Sequence, residues 1–213
     1  MEIGKKEAWQ ERVRKSNAET TLIPYLKSRG VDRLDKLVLT HTDTDHMGDM
    51  LELAKHFSIR EIYVSKGSMT QADFVDKLKK MKAKVHVVEV GDRLPIFDSA
   101  LEVLYPLTQG DGGNDDSIVL YGEFFRTKFL FTGDLEALGE GQMVTAYPDL
   151  RVDVLKAGHH GSKGSSSPEF LEHIKPKLAL ISAGKNNRYQ HPHKETLDRF
   201  EKIRTKIFRT DEQ

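Results

Sequence analysis

The chain has 213 residues, with 38% hydrophobic and 31% charged residues, a composition typical of a single globular domain. Its 33 basic residues equal its 33 acidic residues, so overall charge attracts neither nucleic acid nor an anionic membrane. The absence of cysteine excludes disulfides, thiolate metal sites and a cysteine nucleophile. No apolar run approaches the roughly 20 residues of a membrane-spanning helix, and the charged N-terminus does not resemble a signal peptide. We expect one soluble domain over residues 1–213, with no stable membrane contact of its own.

Short apolar runs and amphipathic stretches alternate along the chain and predict an α/β fold with helices covering the sheet faces. Residues 2–17 are highly charged and predict a loop or a frayed helix. The predicted helices cover residues 20–28, 47–57, 71–81, 136–147, 168–173 and 193–203. The predicted strands cover residues 36–40, 61–64, 84–88, 101–105, 117–121, 128–131, 152–155 and 178–181. Because turn residues separate the three strands between 101 and 131, that region predicts antiparallel hairpins.

Four potential metal ligands directly follow the first predicted strand: His41, Asp43, Asp45 and His46. The carboxyl end of a strand in an α/β sheet is the usual rim of a ligand crevice. Imidazole and carboxylate together suit hard or borderline divalent cations. Asp45 alone could simply cap the following helix, but capping does not account for four such residues together. The motif therefore predicts a metal site.

Two further strand ends carry the same types of residue. The strand that ends at Phe131 is followed by Thr-Gly-Asp134, where a carboxylate could bridge two metal ions, although Gly-Asp after a strand is also an ordinary turn. A later strand is followed by His159 and His160. On the extended backbone expected there, adjacent histidines point in different directions, so one would ligate while the other orients it or contacts substrate. The three strand ends together predict one shared site.

These three motifs, in this order, resemble the metallo-β-lactamase superfamily. They are more closely similar to the C-terminal hydrolase-like domain of the ComEC family, the competence proteins that move DNA across the bacterial membrane. The resemblance covers nearly the whole chain. Its finer matches lie in residues 21–30, 114–120, 182–189, 191–193 and 208–211.

The resemblance implies an αββα sandwich of the metallo-β-lactamase type. Domains of the ComEC family open with strands that carry a Val-Gly-Gln-Gly-Asp type motif and an Asp-x-Gly-Gly turn, and neither motif occurs here. The family also continues into a final strand after the position of Asp211. We therefore expect a fragment without its N-terminal strands and truncated at both ends, in which unpaired sheet edges invite pairing between chains.

The resemblance also implies one or two divalent metal ions. Superfamily members with two full sites usually have histidine at the position of Asp43, and a further histidine in the region of residues 114–117. The first site is then oxygen-rich, formed at best by His41, Asp43 and a bridging Asp134. The second site would use Asp45, His46, Asp134 and one of His159 and His160. Oxygen-rich ligation favours Mn²⁺, with Zn²⁺ and Mg²⁺ as the other candidates.

By the same resemblance we expect hydrolysis of a phosphodiester, in single-stranded DNA, within a membrane DNA-uptake channel. Asp45 and His191 are the candidate catalytic residues. The candidate substrate-binding residues are Asn114, Ser117, Ser162, Asn187 and Tyr189. The domain would lie on the extracellular side of the cell membrane, attached to an integral membrane protein.

Other interpretations of these residues remain open. His191 could simply precede a helix, Ser167 before Pro168 could be a helix N-cap, and the lysines of residues 77–84 could form a solvated face instead of a DNA contact. The same site could hydrolyse a phosphorylcholine ester, a lactone or a cyclic nucleotide. A non-catalytic module that binds DNA or a partner around a structural metal is the third possibility.

Overall fold

The computed structural model describes residues 16–212, so the prediction for residues 2–15 lies outside the described part. Its smaller sheet has three parallel strands in the order β1 (Arg33–Val38), β2 (Ser58–Ser65) and β3 (Lys84–Val88). Helices connect these strands, as parallel neighbours require.

The larger sheet has seven strands in the order β10-β9-β8-β7-β6-β5-β4. Strands β5 to β7 form the predicted antiparallel hairpins, β4 pairs antiparallel with β5, and β7 to β10 pair in parallel. The bounds are β4 (Arg93–Ile96), β5 (Ser99–Tyr105), β6 (Val119–Phe124), β7 (Thr127–Phe131), β8 (Val154–Lys156), β9 (Leu178–Ile181) and β10 (Lys206–Arg209).

Helices cover the outer faces of both sheets, which gives the expected αββα layering. They are α1 (Ile23–Ser28), α2 (Thr44–Met47), α3 (Met50–His56), α4 (Ala72–Lys80), α5 (Ala137–Ala146), α6 (Pro168–Ile174) and α7 (Lys194–Lys202). The core between the sheets includes Tyr63 and Val88 from one sheet and Val103 and Leu120 from the other. Separate buried clusters join α1, α3 and α4 to the smaller sheet, and α5, α6 and α7 to the larger one. None of the helices within residues 16–212 is long and apolar enough to cross a membrane.

Several element bounds differ from the prediction. The helix expected over residues 47–57 is α3 and begins only at Met50, because Asp49 leaves helical geometry at ψ 3° and its carboxylate accepts a hydrogen bond from the Ala18 backbone at 2.8 Å. Met47 ends the separate short helix α2, which was not predicted. Strand β6 begins at Val119 and not at residue 117, because a 3-10 turn occupies Asn114–Asp116. A π-helical turn, Ala18–Leu22, extends the first helix backward.

Two strands were not predicted. Strand β4 lies at the sheet edge, where the missing backbone N–H of Pro95 is tolerated. The proline made this segment look unlike a strand in the sequence. Strand β10 has only four residues and pairs with β9 in parallel at the opposite edge. Both edge strands are too short for a clear alternation.

Candidate metal centre

The loop after β1 carries the first group of candidate ligands. Its backbone is tied to the larger sheet, since Ile118 donates to the carbonyl of Thr40 at 2.9 Å. The Thr40 hydroxyl lies 3.0 Å from Nδ1 of His41 and 3.3 Å from Nδ1 of His46, so one side chain orients both rings. Asp43, not Asp45, is the N-cap residue of α2, and it makes no capping hydrogen bond. The capping interpretation of Asp45 is therefore wrong.

Asp134 lies behind this loop, after β7. The preceding Gly133 has φ +55°, and a Cβ at that position would lie 2.8 Å from the Ser117 side chain, so glycine is required there. The backbone N–H of Asp134 donates to Ser117 Oγ at 3.0 Å. Only 2% of Asp134 is exposed, so its carboxylate faces the interior of the site.

The histidine pair after β8 lies on a turn and not on the expected extended backbone. His159 and His160 have φ 45° and 54°, followed by Gly161 at φ 82°. This left-handed turn is held by hydrogen bonds from His159 N to Gly133 O at 3.1 Å and from His193 N to Gly161 O at 3.0 Å. The two rings therefore point in different directions, as predicted. The cause is this left-handed turn and not the extended backbone that was expected.

Four side chains converge where these loops meet: Asp45, His46, Asp134 and His160. One ligand atom from each lies within 4.8 Å of all the others. His46 Nε2 lies 3.3 Å from His160 Nε2 and 3.1 Å from Asp134 Oδ1. His160 Nε2 lies 3.3 Å from Asp45 Oδ2. Of the two adjacent histidines, the cluster includes His160.

The donor set fits a divalent cation. Two imidazole nitrogens and two carboxylates are ligands that Zn²⁺ and Mn²⁺ accept. His41 Nε2 is buried without a hydrogen-bond partner, and buried Asp134 Oδ1 has none of suitable geometry although His46 Nε2 lies 3.1 Å away. Buried polar atoms are normally paired, so these two atoms indicate an absent positive or polar group.

Neighbouring charged groups and burial shift the pKa values of the site residues. Contact with His160 holds the pKa of Asp45 well below its usual range, and Asp45 in turn raises the pKa of His160. Burial acts to raise the pKa of Asp134, but contact with His46 and the surrounding imidazoles lower it overall. Burial lowers the pKa of His41 to about 4. Both carboxylates are thus ionised at neutral pH, as metal ligands must be.

The expected first site is less complete. His41 is fully buried and its ring centroid lies 4.1 Å from that of His46. Its Nε2 atom lies 4.0 Å from Asp43 Oδ2, and the Asp43 side chain is about half exposed. Neither residue belongs to the converging group found among residues 16–212.

A fourth loop, after β9, brings His191 to the same rim. Its ring centroid lies 5.4 Å from that of His159 and 6.4 Å from that of His160. Burial, followed by the neighbouring His193, lowers the pKa of His191 to about 4. Helix α7 begins at Lys194 with His193 as its N-cap, so His191 lies outside the helix start.

The predicted substrate-binding residues occupy different environments. Asn187 hydrogen-bonds to the backbone of His191 through both Nδ2 and Oδ1, and Tyr189 is 55% exposed beside that ring. Asn114 lies 3.4 Å from Glu136, with a buried Oδ1 that lacks a partner. Ser162 Oγ accepts from the Gly164 backbone at 3.2 Å.

Ser117 was expected to contact substrate, but its position in the structure does not allow this. Its hydroxyl is fully buried, 3.2 Å from His41 Nδ1, and accepts from Asp134 N. It therefore positions candidate ligands from behind. Ser167 is the N-cap of α6 and accepts from Phe170 N at 3.4 Å, which confirms its capping interpretation.

Three residues of the site were not predicted: Thr40, Glu136 and Lys156. Glu136 Oε1 lies 3.2 Å from His159 Nδ1. Glu136 follows Asp134 by two residues, and this spacing is the feature of the sequence that could have identified it as a site residue. Lys156 donates to the carbonyl of Ala157 at 2.9 Å, and burial lowers the pKa of its ammonium group. Nothing in the local pattern distinguishes Thr40 or Lys156 from ordinary strand-end residues.

Residues 5–185 match the metallo-β-lactamase superfamily, and the chain belongs to that superfamily. Its homologues are competence proteins of the ComEC family. It is 38% identical over 211 residues to ComE operon protein 3 of Bacillus subtilis strain 168, covering 97% of this chain and 27% of that protein. It is 35% identical over 196 residues to competence protein ComA of Neisseria gonorrhoeae, covering 91% of this chain and 26% of that protein. The chain thus spans about a quarter of the length of these relatives.

Solved structures with the same fold are more distant in sequence. The metallo-β-lactamase fold protein YhfI from Bacillus subtilis superposes with a TM-score of 0.57 at 13% identity, covering 92% of this chain and 82% of that one. A variant of the CmlA β-hydroxylase gives a TM-score of 0.59 at 13% identity, covering 84% of this chain and 43% of that one. These likenesses confirm the predicted fold class.

Proposed function

We propose that this chain is the metal-dependent hydrolase domain of a DNA-uptake protein and that it cleaves phosphodiester bonds in single-stranded DNA. The observation that carries the proposal is the convergence of two imidazoles and two carboxylates at the rim of a metallo-β-lactamase fold. The similarity to competence proteins over nearly the whole chain supports DNA as the substrate.

The ligands of one cation would be Asp45, His46, Asp134 and His160. The mixture of nitrogen and oxygen donors supports Mn²⁺ or Zn²⁺, with Mg²⁺ as a weaker candidate. A second cation would need His41 and Asp43 together with Asp134. Because Asp43 is half exposed and apart from the cluster, we propose that the cation held by Asp45, His46, Asp134 and His160 binds more tightly.

When bound, a divalent cation supplies a nucleophile at neutral pH by acidifying water, and offsets negative charge on phosphoryl oxygens. The chain's own groups would position the reactants. Asp45 stays ionised and half exposed, so its free oxygen can orient a water molecule by accepting a hydrogen bond. His191 is neutral at pH 7 and can donate one hydrogen bond toward the leaving oxygen.

In the complete protein we propose that this domain is attached to a membrane-embedded uptake channel and faces the extracellular side. The similarity to competence proteins four times its length supports such an attachment. Pairing between chains through the sheet edges, at β1, β3, β4 or β10, stays a prediction.

The test combines metal content with cleavage. Elemental analysis should find about one tightly bound cation per chain, and added Mn²⁺ should support cleavage of an end-labelled single-stranded oligonucleotide. Asp45→Asn should weaken metal retention and abolish cleavage, whereas Asp76→Asn, on the exposed face of α4, should do neither. A metal-loaded chain that leaves both single-stranded DNA and bis(p-nitrophenyl) phosphate intact would contradict the hydrolase proposal.

A further inference from the structure

Planar side chains form a continuous row from the metal centre to the protein surface. The rings of His160 and His191 are nearly parallel, at 17° with centroids 6.4 Å apart. The ring of Tyr189 stacks on His191 at 24° and 5.7 Å. The guanidinium carbon of Arg188 lies 4.5 Å from the centroid of the Tyr189 ring. The row therefore begins at a candidate ligand and ends on exposed groups.

The loop that carries this row is held in place. Asn187 accepts a hydrogen bond from His191 N at 3.0 Å and donates to the carbonyl of Gly184 at 2.9 Å. It also contacts the carbonyl of His191 through Nδ2. Tyr189 is nevertheless 55% exposed, although an aromatic ring of this size would ordinarily bury more of its surface. A fixed, exposed ring next to a reaction centre indicates a contact surface for a planar ligand.

Resting on the proposed function, we propose that Tyr189 and Arg188 form a stacking step for an unpaired nucleobase next to the scissile phosphate of single-stranded DNA. Base–aromatic stacking is a common way to bind single strands, and arginine adds a cation–π contribution. The chain has no net charge to attract DNA, so its contacts with a single strand must be local.

This step would set two preferences. A base in a duplex is already stacked on its neighbours, so Tyr189 would favour a single strand over a duplex. Since every base has a π-face, the step would select little among the four bases. Substrates without a base at this position would bind only through the phosphate and the metal centre.

The test compares two oligonucleotides of twelve nucleotides, labelled at one end. One is oligothymidylate, and the other has abasic tetrahydrofuran units at all internal positions. Binding is measured by fluorescence anisotropy in Ca²⁺. The wild-type chain should bind the thymidylate roughly five- to one-hundred-fold more tightly than the abasic strand, the range expected for stacking.

Variants separate stacking from other effects. Tyr189→Leu should remove the preference for the strand with bases, while Tyr189→Phe should retain it. Phe125→Leu is the matched control, because Phe125 is also an exposed aromatic residue next to an arginine but lies in the β6–β7 turn, at the opposite end of β7 from Asp134. In Mn²⁺, Tyr189→Leu should raise KM for the thymidylate with little change in kcat.

Equal binding of both oligonucleotides by the wild-type chain, or an undiminished preference in Tyr189→Leu, would overturn the stacking step. These outcomes differ from a failure of the proposed function. Absence of Mn²⁺-dependent cleavage counts against the nuclease proposal, whereas the comparison of strands with and without bases decides the role of Tyr189.

Discussion

The side chain of His160 is fixed by the carbonyl oxygen of Ser182, which accepts a hydrogen bond from Nδ1 at 2.7 Å. A carbonyl can only accept, so Nδ1 carries the proton of the neutral ring and the lone pair of Nε2 faces Asp45 and His46. The neighbouring His159 is held by Glu136 instead, and its Nε2 lies 3.7 Å from Asp134 Oδ2. The adjacent histidines therefore have different environments.

His160→Gln should weaken metal binding more than His159→Gln. Loss of His160 removes a candidate ligand, and we expect affinity to fall by more than the roughly 10- to 100-fold typical of an outer partner, while His159→Gln stays within that range. Isothermal titration calorimetry with Mn²⁺ and Zn²⁺ on both variants measures the difference. Equal losses would argue against His160 as the ligand.

Thr40→Val should also reduce metal affinity, because its hydroxyl lies within 3.3 Å of Nδ1 in both His41 and His46. Valine has nearly the same shape but cannot orient either ring, so a loss of roughly 10- to 100-fold is expected. Thr145→Val, on the exposed side of α5, is the matched control. Unchanged affinity in Thr40→Val would show that packing alone holds the two rings.

In the metal-free chain, the stability that depends on neutral His41 should be lost as pH falls from 6.5 to about 4. In the folded state the pKa of His41 is lowered from 6.5 to about 4, so in this window the unfolded chain binds more protons and is favoured as pH decreases. The full difference corresponds to roughly 3 kcal/mol. His191 acts in the same direction. His160, whose pKa is raised, contributes fully below 6.5 and does not offset the loss.

Urea denaturation at several pH values, with chelator present, measures this effect. His41→Asn should flatten the dependence of unfolding free energy on pH between 6.5 and 4, and the surface variant His56→Asn should not. The same slope in wild type and His41→Asn would place the responsible group elsewhere.

Glu140→Leu should destabilise the fold by about 2–4 kcal/mol. The buried carboxylate accepts hydrogen bonds from Ser166 N at 2.6 Å and Ser167 N at 2.8 Å, and leucine would leave both donors unpaired. Glu140→Gln, which keeps an acceptor, should cost less. Urea denaturation of both variants and of the surface variant Glu172→Leu checks this. A loss no larger than that of the surface variant would contradict it.

Much of the fold was predictable because strands and helices alternate clearly and the candidate ligands follow strand ends. The parallel neighbours β7 and β8 place their carboxyl ends at the same rim, which is why Asp134 and His160 could be expected to meet, whereas His46 follows β1 of the other sheet and reaches them through the packing of the two sheets. The αββα class and the superfamily were confirmed. The roles of individual residues stay predictions.

Other features depend on contacts between distant segments. Nothing in the order His159-His160 tells which ring faces Asp45, because the choice follows from the left-handed backbone and from Ser182, 22 residues away. Ser117 has a hydroxyl group that could bind substrate, yet packing buries this hydroxyl against His41. Strand β4 was hidden by its proline, which only an edge position permits.

The turn at His159 and His160 also bears on how a cation would enter. A left-handed conformation costs roughly 1–2 kcal/mol for each residue that is not glycine. The free energy of folding offsets this cost before any ion binds. The imidazole would therefore already be oriented when an ion arrives, so ion binding would cost little further conformational entropy. The protein should behave as a rigid chelator, in which the rate of uptake follows how readily each ion sheds its water and not how fast the loops rearrange.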